Sequence, residues 1–434
     1  MTLPYGDVGL VMTQNDAHGA KAAAPTARVV VRSSIRSDSH RRAVRAALPA
    51  APLLIFLLLF LVIPIGSIVH TAVSDGEIAR ALPLTTQALQ AWDGDDVPVT
   101  AVYMTLGQEL EAAGHAGSIR PLGRRVGYEL SRGANVILGA QRTLSKDFDR
   151  ADPQAWKAQL IKADPAWGQS GVWSIIRHYN GRYSAFYLRW ATGFPVKIEA
   201  DGRLSQEASY DFRSIYLRTI LISLVVTGLT ILIGYPVAYV IANSSGRTAA
   251  VLLFFILLPF WTSLLVRTMS WIVFLQTNGV LNNTLARTGL IPEPLPLLYT
   301  RMATIIAMIQ IQLPFTVLPM ISVMRAIPTN QVKAARSLGA GPLRAHATIF
   351  LPQSIPGIAA GGLLTFVLCL GFYLTPALVG GPSDQMVSFF IARFTNEDLN
   401  WGLASALSVI LIFGAGLVAL PLARHVARHS SDRI

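Results

Sequence analysis

Cysteine is nearly absent from this sequence, and charge is scarce. Of 434 residues one is cysteine, Cys369, and only 14% are charged. A single thiol excludes an intrachain disulfide and any thiolate metal cluster built by this chain alone. Set in an apolar stretch, Cys369 reads as a small buried hydrophobe. Soluble domains carry about 25% charged residues. A charged fraction of 14% beside 52% hydrophobic residues therefore excludes an ordinary soluble protein. No GxxxxGK[ST] phosphate loop occurs, so no nucleotide-hydrolysing machinery is visible in this chain. Acidic residues are missing from every apolar run after the first.

What remains is a series of apolar runs near residues 47–69, 216–242, 249–275, 302–324, 355–379 and 403–422. Each approaches the ~20 residues that an α-helix needs to cross a bilayer. The expected fold class is an all-α membrane protein with six transmembrane helices. The first run follows a basic leader but is too long for a signal-peptide core, so it is read as an uncleaved span.

The net charge of +12 raises the question of a nucleic-acid partner. Its distribution answers against one. Between Asp75 and Asp211, acids and bases balance at roughly sixteen each. The excess sits in three short segments: Arg28 to Arg45, Arg325 to Arg344, and Arg424 to Arg433. Short basic segments beside apolar spans are what the positive-inside bias produces. Both termini are expected in the cytoplasm, with membrane lipid as the surrounding partner.

The organisation expected is a disordered basic tail (1–45), a first span (46–70), an extracytoplasmic insertion (71–213), a five-helix core (214–425) and a short cytoplasmic tail (426–434). The insertion shows helical periodicity in "AVYMTLGQELEAAGHAG" and "DPQAWKAQLIKADPAW", with Asp152-Pro153 as an N-cap and first-turn proline. "FPVKIEADGRL" predicts a short strand pair about an Asp-Gly turn. His115 and His178 are isolated, and no metal or nucleophile constellation is apparent.

One polar stretch lies inside the core, "KAARSLGAGPLRAHATIFLP" at 333–352, within a loop spanning 327–354. It reads as helix, hinge, helix. Ala334, Ala335 and Leu338 share a helical face, Gly339-Ala340-Gly341 interrupts it, and Pro342 suits the first turn of a second helix. Here the sequence resembles the type I, binding-protein-dependent ABC importer permeases. The matching signature is Ala334-Ala335, Gly339, Ile349 and Leu351-Pro352. "LLPFWTSLLVRTMSWIVFLQTNGVLNN" and "GFYLTPALVGGP" are similar to the spermidine/putrescine branch. The resemblance implies that the loop is a coupling helix seated on a separate ABC ATPase subunit, which uses ATP and Mg while this chain binds no cofactor. On that reading Lys333, Ala334, Ala335, Leu338, Gly339, Arg344, Ile349, Leu351 and Pro352 carry the coupling. A second related permease subunit, forming a heterodimer, and a periplasmic solute-binding protein are implied too. Two positions depart from the pattern: Lys333 stands where the family usually has Glu, and Phe372 where the polyamine-like branch often has Glu.

Candidate pathway residues are Arg267, Gln310, Gln312 and Tyr373. An ionisable group inside a span is a functional suspect, and Arg267 either lines the pathway or snorkels to the interface. Gln310 and Gln312 precede Pro314 and either satisfy freed backbone groups or face a cavity. Trp261, Trp271, Tyr299 and Trp401 are read as interfacial anchors. The expectation is therefore a non-enzymatic permease subunit importing a polyamine or similar organic cation. The lack of carboxylates keeps open a small anion or metal chelate. A membrane-anchored sensor would need an output domain that the sequence does not show.

Overall fold

The computed structural model describes Pro49 and residues 51–431, apart from residues 131, 179–180, 195–196, 199–203 and 206–209. The expected basic tail, and the Asp201-Gly202 turn, lie outside the described residues. Two units are present, Met1–Gly66 and Ser67–Ile434. The described part of the first belongs to one apolar helix, α1 (Ala51–Val73), with a π turn at Leu58–Val62. Its β-branched and aromatic residues are not strong helix formers in water. In hydrocarbon every backbone polar group must be satisfied within the segment, and that requirement selects the helix.

The second unit opens with a helical insertion: α2 (Glu77–Ala81), α3 (Pro83–Ala88), α4 (Thr100–His115), α5 (Ile119–Glu129), α6 (Gly133–Leu144), α7 (Pro153–Ala163), α8 (Ser170–His178) and α9 (Phe186–Ala191). Asp152 caps α7 as expected, its carboxylate accepting from Gln154 N at 2.9 Å, with Pro153 in the first turn. The strand pair forms too, β1 (Lys197–Ile198) antiparallel to β2 (Leu204–Ser205). Trp156, Trp167, Trp173 and Tyr103 are buried at the insertion's centre. The Trp167 carbonyl accepts from both Tyr103 Oη (2.7 Å) and Trp173 Nε1 (3.1 Å). Removal from water pushes the Tyr103 phenol up to about 12. Glu109 is buried as well. Its two oxygens accept from Leu84 N (2.6 Å) and Thr85 N (2.9 Å), closing the open N-terminus of α3 from a distant helix.

The core follows: α10 (Phe212–Asn243), α11 (Gly246–Leu257), α12 (Leu264–Leu275), α13 (Val280–Arg287), α14 (Arg301–Ala326), α15 (Thr329–Ser337), α16 (Pro342–Ala345), α17 (Leu351–Gly371), α18 (Leu374–Val379), α19 (Val387–Asn396) and α20 (Trp401–Ser431). With α1, six helical stretches are long and apolar enough to cross a membrane. The heart of the core is the packing of α10, α14 and α17. Small residues allow it. A Cβ on Gly361 would lie 2.3 Å from the Thr316 carbonyl oxygen, and one on Gly357 2.8 Å from Val323 Cβ. A Gly-x-x-x-Gly edge on α17 thus lets two backbones meet. Thr316 and Thr365 hydroxyls pair across the same seam at 2.5 Å.

Two expected spans are corrected. The run 249–275 is not one helix: α11 ends in a 3₁₀ turn at Leu258–Trp261, and α12 begins only at Leu264. Pro259 removes a backbone donor, and the Ser263 hydroxyl accepts from Val266 N at 3.2 Å to start a new helix. The long span runs over Leu264–Arg287, and Gly246–Trp261 is a shorter apolar helix. Likewise the run 355–379 breaks after Gly371, and its helix begins earlier, within Pro342–Gly371.

The insertion is built into the core. Phe186, Tyr187 and Trp190 of α9 share one hydrophobic cluster with Phe390 and Phe394 of α19 and Leu403 and Leu407 of α20. A Cβ on Gly402 would lie 2.4 Å from the Tyr187 ring, so α9 and α20 touch at a glycine. Beneath α9 runs an ionic chain. Asp75 accepts from Arg125 Nε (2.6 Å), Arg125 Nη2 (2.8 Å) and Ser184 Oγ (2.6 Å), and Arg125 also meets Glu129 at 3.3 Å. The Arg125 guanidinium lies 3.4 Å from the Phe186 ring centroid. The paired carboxylates hold its pKa above the ordinary value against the opposing cost of burial.

Candidate coupling loop and translocation pathway

The loop 327–354 forms the two helices and hinge that its sequence predicts. Helix α15 ends in a Schellman arrangement: Gly339 N donates to Arg336 O (3.0 Å) and Ala340 N to Ala335 O (3.1 Å). Gly339 sits at φ +91°, a conformation that side chains resist. Gly341 caps the next helix and Pro342 opens it. A π turn, His346–Phe350, then carries the chain into α17. Ile349, half-buried, lies in that turn, while Leu351 and Pro352 already belong to the long helix.

The geometry separates the loop into a base and a tip. At the base, Val332 packs against the cluster containing Ile327 and Phe350, and Gln353 Nε2 donates to Gln331 Oε1 at 2.7 Å. At the tip, Leu338 is 89% exposed and Leu343, across the hinge, 86%. Lys333, Ala334 and Arg344 are exposed and Ala335 is half-buried. Leu338 is the C-cap of α15.

Sequence reasoning missed Leu343, and it missed the latch that holds the loop. His346 Nε2 lies 2.9 Å from the Tyr235 hydroxyl of α10; its ring meets Tyr239 edge-on and stacks on Phe350. A histidine three residues before the matched isoleucine carries no such signal by itself.

The pathway candidates divide. Arg267 and Gln310, on α12 and α14, line one cavity of about 340 Å³ with Thr262, Val266, Ser270, Trp271 and Phe274. Trp271 Nε1 donates to Gln310 Oε1 at 3.2 Å, while Trp261, Tyr299 and Trp401 are well exposed. Arg267 Nε is buried without a hydrogen-bond partner among the described residues. Gln312 does not join them. Two residues from Gln310 on a helix, it faces another way, and it is 1% exposed with Oε1 unpartnered among the described residues. Tyr373 lies in the break before α18 and is 42% exposed.

Sequence spacing gave no sign of the clamp around the "GFYLTPALVGGP" segment. Arg301 at the start of α14 pairs with Asp384 at 2.8 Å, and Arg218 of α10 donates to the Ser383 and Gln385 carbonyls. The paired glycines fit because a Cβ on Gly380 would meet Thr304 Oγ1 at 2.4 Å and one on Gly381 the Tyr299 carbonyl oxygen at 2.7 Å. The segment is thereby fixed across α10 and α14.

The sequence has known relatives. Residues 211–430 match the family described as binding-protein-dependent transport system inner membrane component. The chain is 33% identical over 220 residues to the spermidine/putrescine transport system permease protein PotB of Haemophilus influenzae, covering 50% of this chain and 74% of that one. It is 32% identical over 206 residues to PotB of Escherichia coli, covering 47% and 75% respectively. Among solved structures it is similar to a bacterial alginate ABC transporter in complex with an alginate-bound periplasmic protein, with a TM-score of 0.42, 21% identity, and coverage of 51% of this chain and 80% of that one. The chain belongs to the binding-protein-dependent transport system inner membrane component family and is a permease component of an ABC-type importer.

Proposed function

We propose that the chain forms one half of the translocation pathway for a polyamine or a similar small organic cation, and that its 327–354 loop docks on an ABC ATPase subunit. The observation that carries the coupling reading is the exposed pair Leu338 and Leu343 at the tip of a braced loop. Burying a leucine is worth about 1.5–3 kcal/mol, so an apolar tip on a firm base is suited to a groove on a partner. The substrate reading leans on the polyamine-named relatives. A second related permease subunit would complete the pathway, and a periplasmic binding protein would deliver the solute. The charge distribution supports cytoplasmic termini and loop, with the insertion outside. A cysteine at exposed Ser145 should then react with an impermeant reagent on intact cells. Labelling only after the inner membrane is opened would reverse the orientation.

A small anion is the second reading, and the Arg267–Gln310 cavity favours it, since no carboxylate lines that space. Transport of labelled putrescine and of small anions by the reconstituted complex separates the two. If Arg267→Gln abolishes anion uptake while putrescine is never carried, the cation reading fails.

A further inference from the structure

A second cavity lies where α1 ends. It measures about 600 Å³ and is lined by His70, Thr71, Ser74, Gly76, Ala79, Arg80, Arg182 and Tyr183. Its walls come from chain segments more than 100 residues apart, held together by the backbone. Ser74 forms an antiparallel bridge with Tyr183, Asp75 N donates to Arg182 O (3.1 Å), and Ser184 N donates to Val73 O (2.9 Å). The bridge is anchored from below, because Asp75 and Ser184 belong to the buried ionic chain of Arg125. This is a fixed pocket rather than two loops that happen to pass.

Its chemistry is one-sided. Two guanidiniums and an imidazole line it, and no carboxylate does. Arg80 Nε is committed to the Gly76 carbonyl at 3.0 Å, and neither Arg80 nor Arg182 has a carboxylate partner among the described residues. His70 Nε2 and the Tyr183 hydroxyl lie 3.3 Å apart on the wall, adding polar groups. Glu77, one turn before Arg80, lines an adjoining pocket that shares Thr71, Ser74 and Arg80 with this one and reaches Arg124 and Trp401, and its carboxylate there accepts from Tyr187 Oη at 2.7 Å. The pocket's position matters as much as its charge. It begins at the last turn of a membrane-crossing helix, where lipid phosphates lie, and Tyr183 beside it is half-exposed, as interfacial aromatics are.

We propose that this pocket binds the phosphodiester of an anionic phospholipid headgroup between Arg80 and Arg182, tying the insertion to the bilayer surface. Arginine suits the task because its planar fork donates in pairs to phosphate oxygens. Basic clusters and pockets beside membrane helices are a known form of anionic-headgroup recognition. The site is at a membrane boundary whichever way the chain is oriented, so the inference does not rest on the proposed topology or substrate.

The test uses the full-length protein, purified in detergent and titrated with phosphatidylglycerol, phosphatidylcholine or inorganic phosphate, with bound lipid counted by native mass spectrometry. The parent should retain one phosphatidylglycerol in preference to phosphatidylcholine, and millimolar inorganic phosphate should not displace it. Arg80→Gln with Arg182→Gln should weaken that retention about tenfold or more, as loss of two charge-assisted bonds implies. Arg142→Gln, a charge change on an exposed face of α6, should leave it unchanged. If the double variant melts early, Arg182→Gln alone, at an exposed position, gives the same reading. Equal retention by parent and variants, or no preference over phosphatidylcholine, overturns the proposal. Displacement by inorganic phosphate overturns the lipid assignment and makes the pocket a free-anion site.

Discussion

Two polar regions interrupt the apolar runs of this chain, and they treat charge and apolar surface in opposite ways. In the insertion, Arg125 and Asp75 are fully buried and matched to one another, and four large aromatics are closed inside. In the 327–354 loop, Lys333, Arg336 and Arg344 stand in the open and the leucines stand out beside them. Both are short helices joined by tight turns. The difference lies in where their partners are. The insertion finds its partners within this chain, so its residues report on folding. On the proposed reading the loop is half of an interface, so its residues should report on transport.

The largest expected effect is Arg125→Met. It leaves Asp75 buried and uncompensated, and removing one member of a buried pair costs about 3–5 kcal/mol. Early proteolysis of the insertion and a lowered melting temperature should follow. Adding Asp75→Asn should recover part of the loss, since one of the two carboxylates that faced Arg125 is then neutral. Melting equal to the parent for the single variant would mean that the network is not closed as described.

Gly339→Val tests the other region and should invert the pattern. The backbone there is left-handed, which costs a residue with a Cβ about 1–2 kcal/mol. No atom lies within 4 Å of where the Cβ would stand, so the strain is confined to the hinge. The protein should stay folded in the membrane while substrate-stimulated ATPase activity of the assembled complex is lost. Gly339→Asn, which tolerates this conformation better, should retain much of it.

A smaller effect attaches to Glu77. Burial pushes its carboxyl above the ordinary value of 4.5, and the hydrogen bond from Tyr187 only partly opposes this. The folded protein thus holds the proton more tightly than the unfolded chain does. Its contribution is fully present below the unfolded value and is lost as pH rises through the folded one. Glu77→Gln keeps an acceptor for Tyr187 and cannot ionise. The difference between the melting curves of parent and variant should therefore grow as pH rises above about 4.5, in the variant's favour. A constant difference would show that Glu77 titrates as it does in the unfolded chain.

Different physics made different parts legible. Six spans followed from run length alone, because a bilayer imposes a minimum length on any helix that crosses it. The hinge at Gly339 was legible because few residues other than glycine accept its backbone. Hydropathy could not see the break at Leu258–Trp261, where the residues are as apolar as their neighbours. Pro259 was the available sign. The buried pair Arg125–Asp75, fifty positions apart, looked like part of a balanced polar surface. Arg267 and Gln310 stood out singly as polar residues in spans, but only the packing of α12 on α14 places them in one cavity and turns Gln312 away from it.

Lys333 carries the smallest expected effect and the sharpest contrast with Arg125. It is exposed on α15, and replacing it should leave the melting temperature unchanged. The family resemblance places Glu at this position, which suits a basic residue on the ATPase. A lysine there suits an acidic or neutral one. An exposed ion pair is worth about 0.2–1 kcal/mol, so losing such a pair alone would be mild. Reversing the charge also places like charges face to face at a partly dehydrated contact, and such juxtapositions discriminate against wrong partners. Lys333→Glu should therefore weaken transport with its own ATPase and improve it with an ATPase from a Glu-bearing system. The measurement is uptake for both permease forms with both ATPases. Equal uptake in all four combinations would place Lys333 in solvent even in the complex, and would leave Leu338 and Leu343 as the part of the tip that the partner reads.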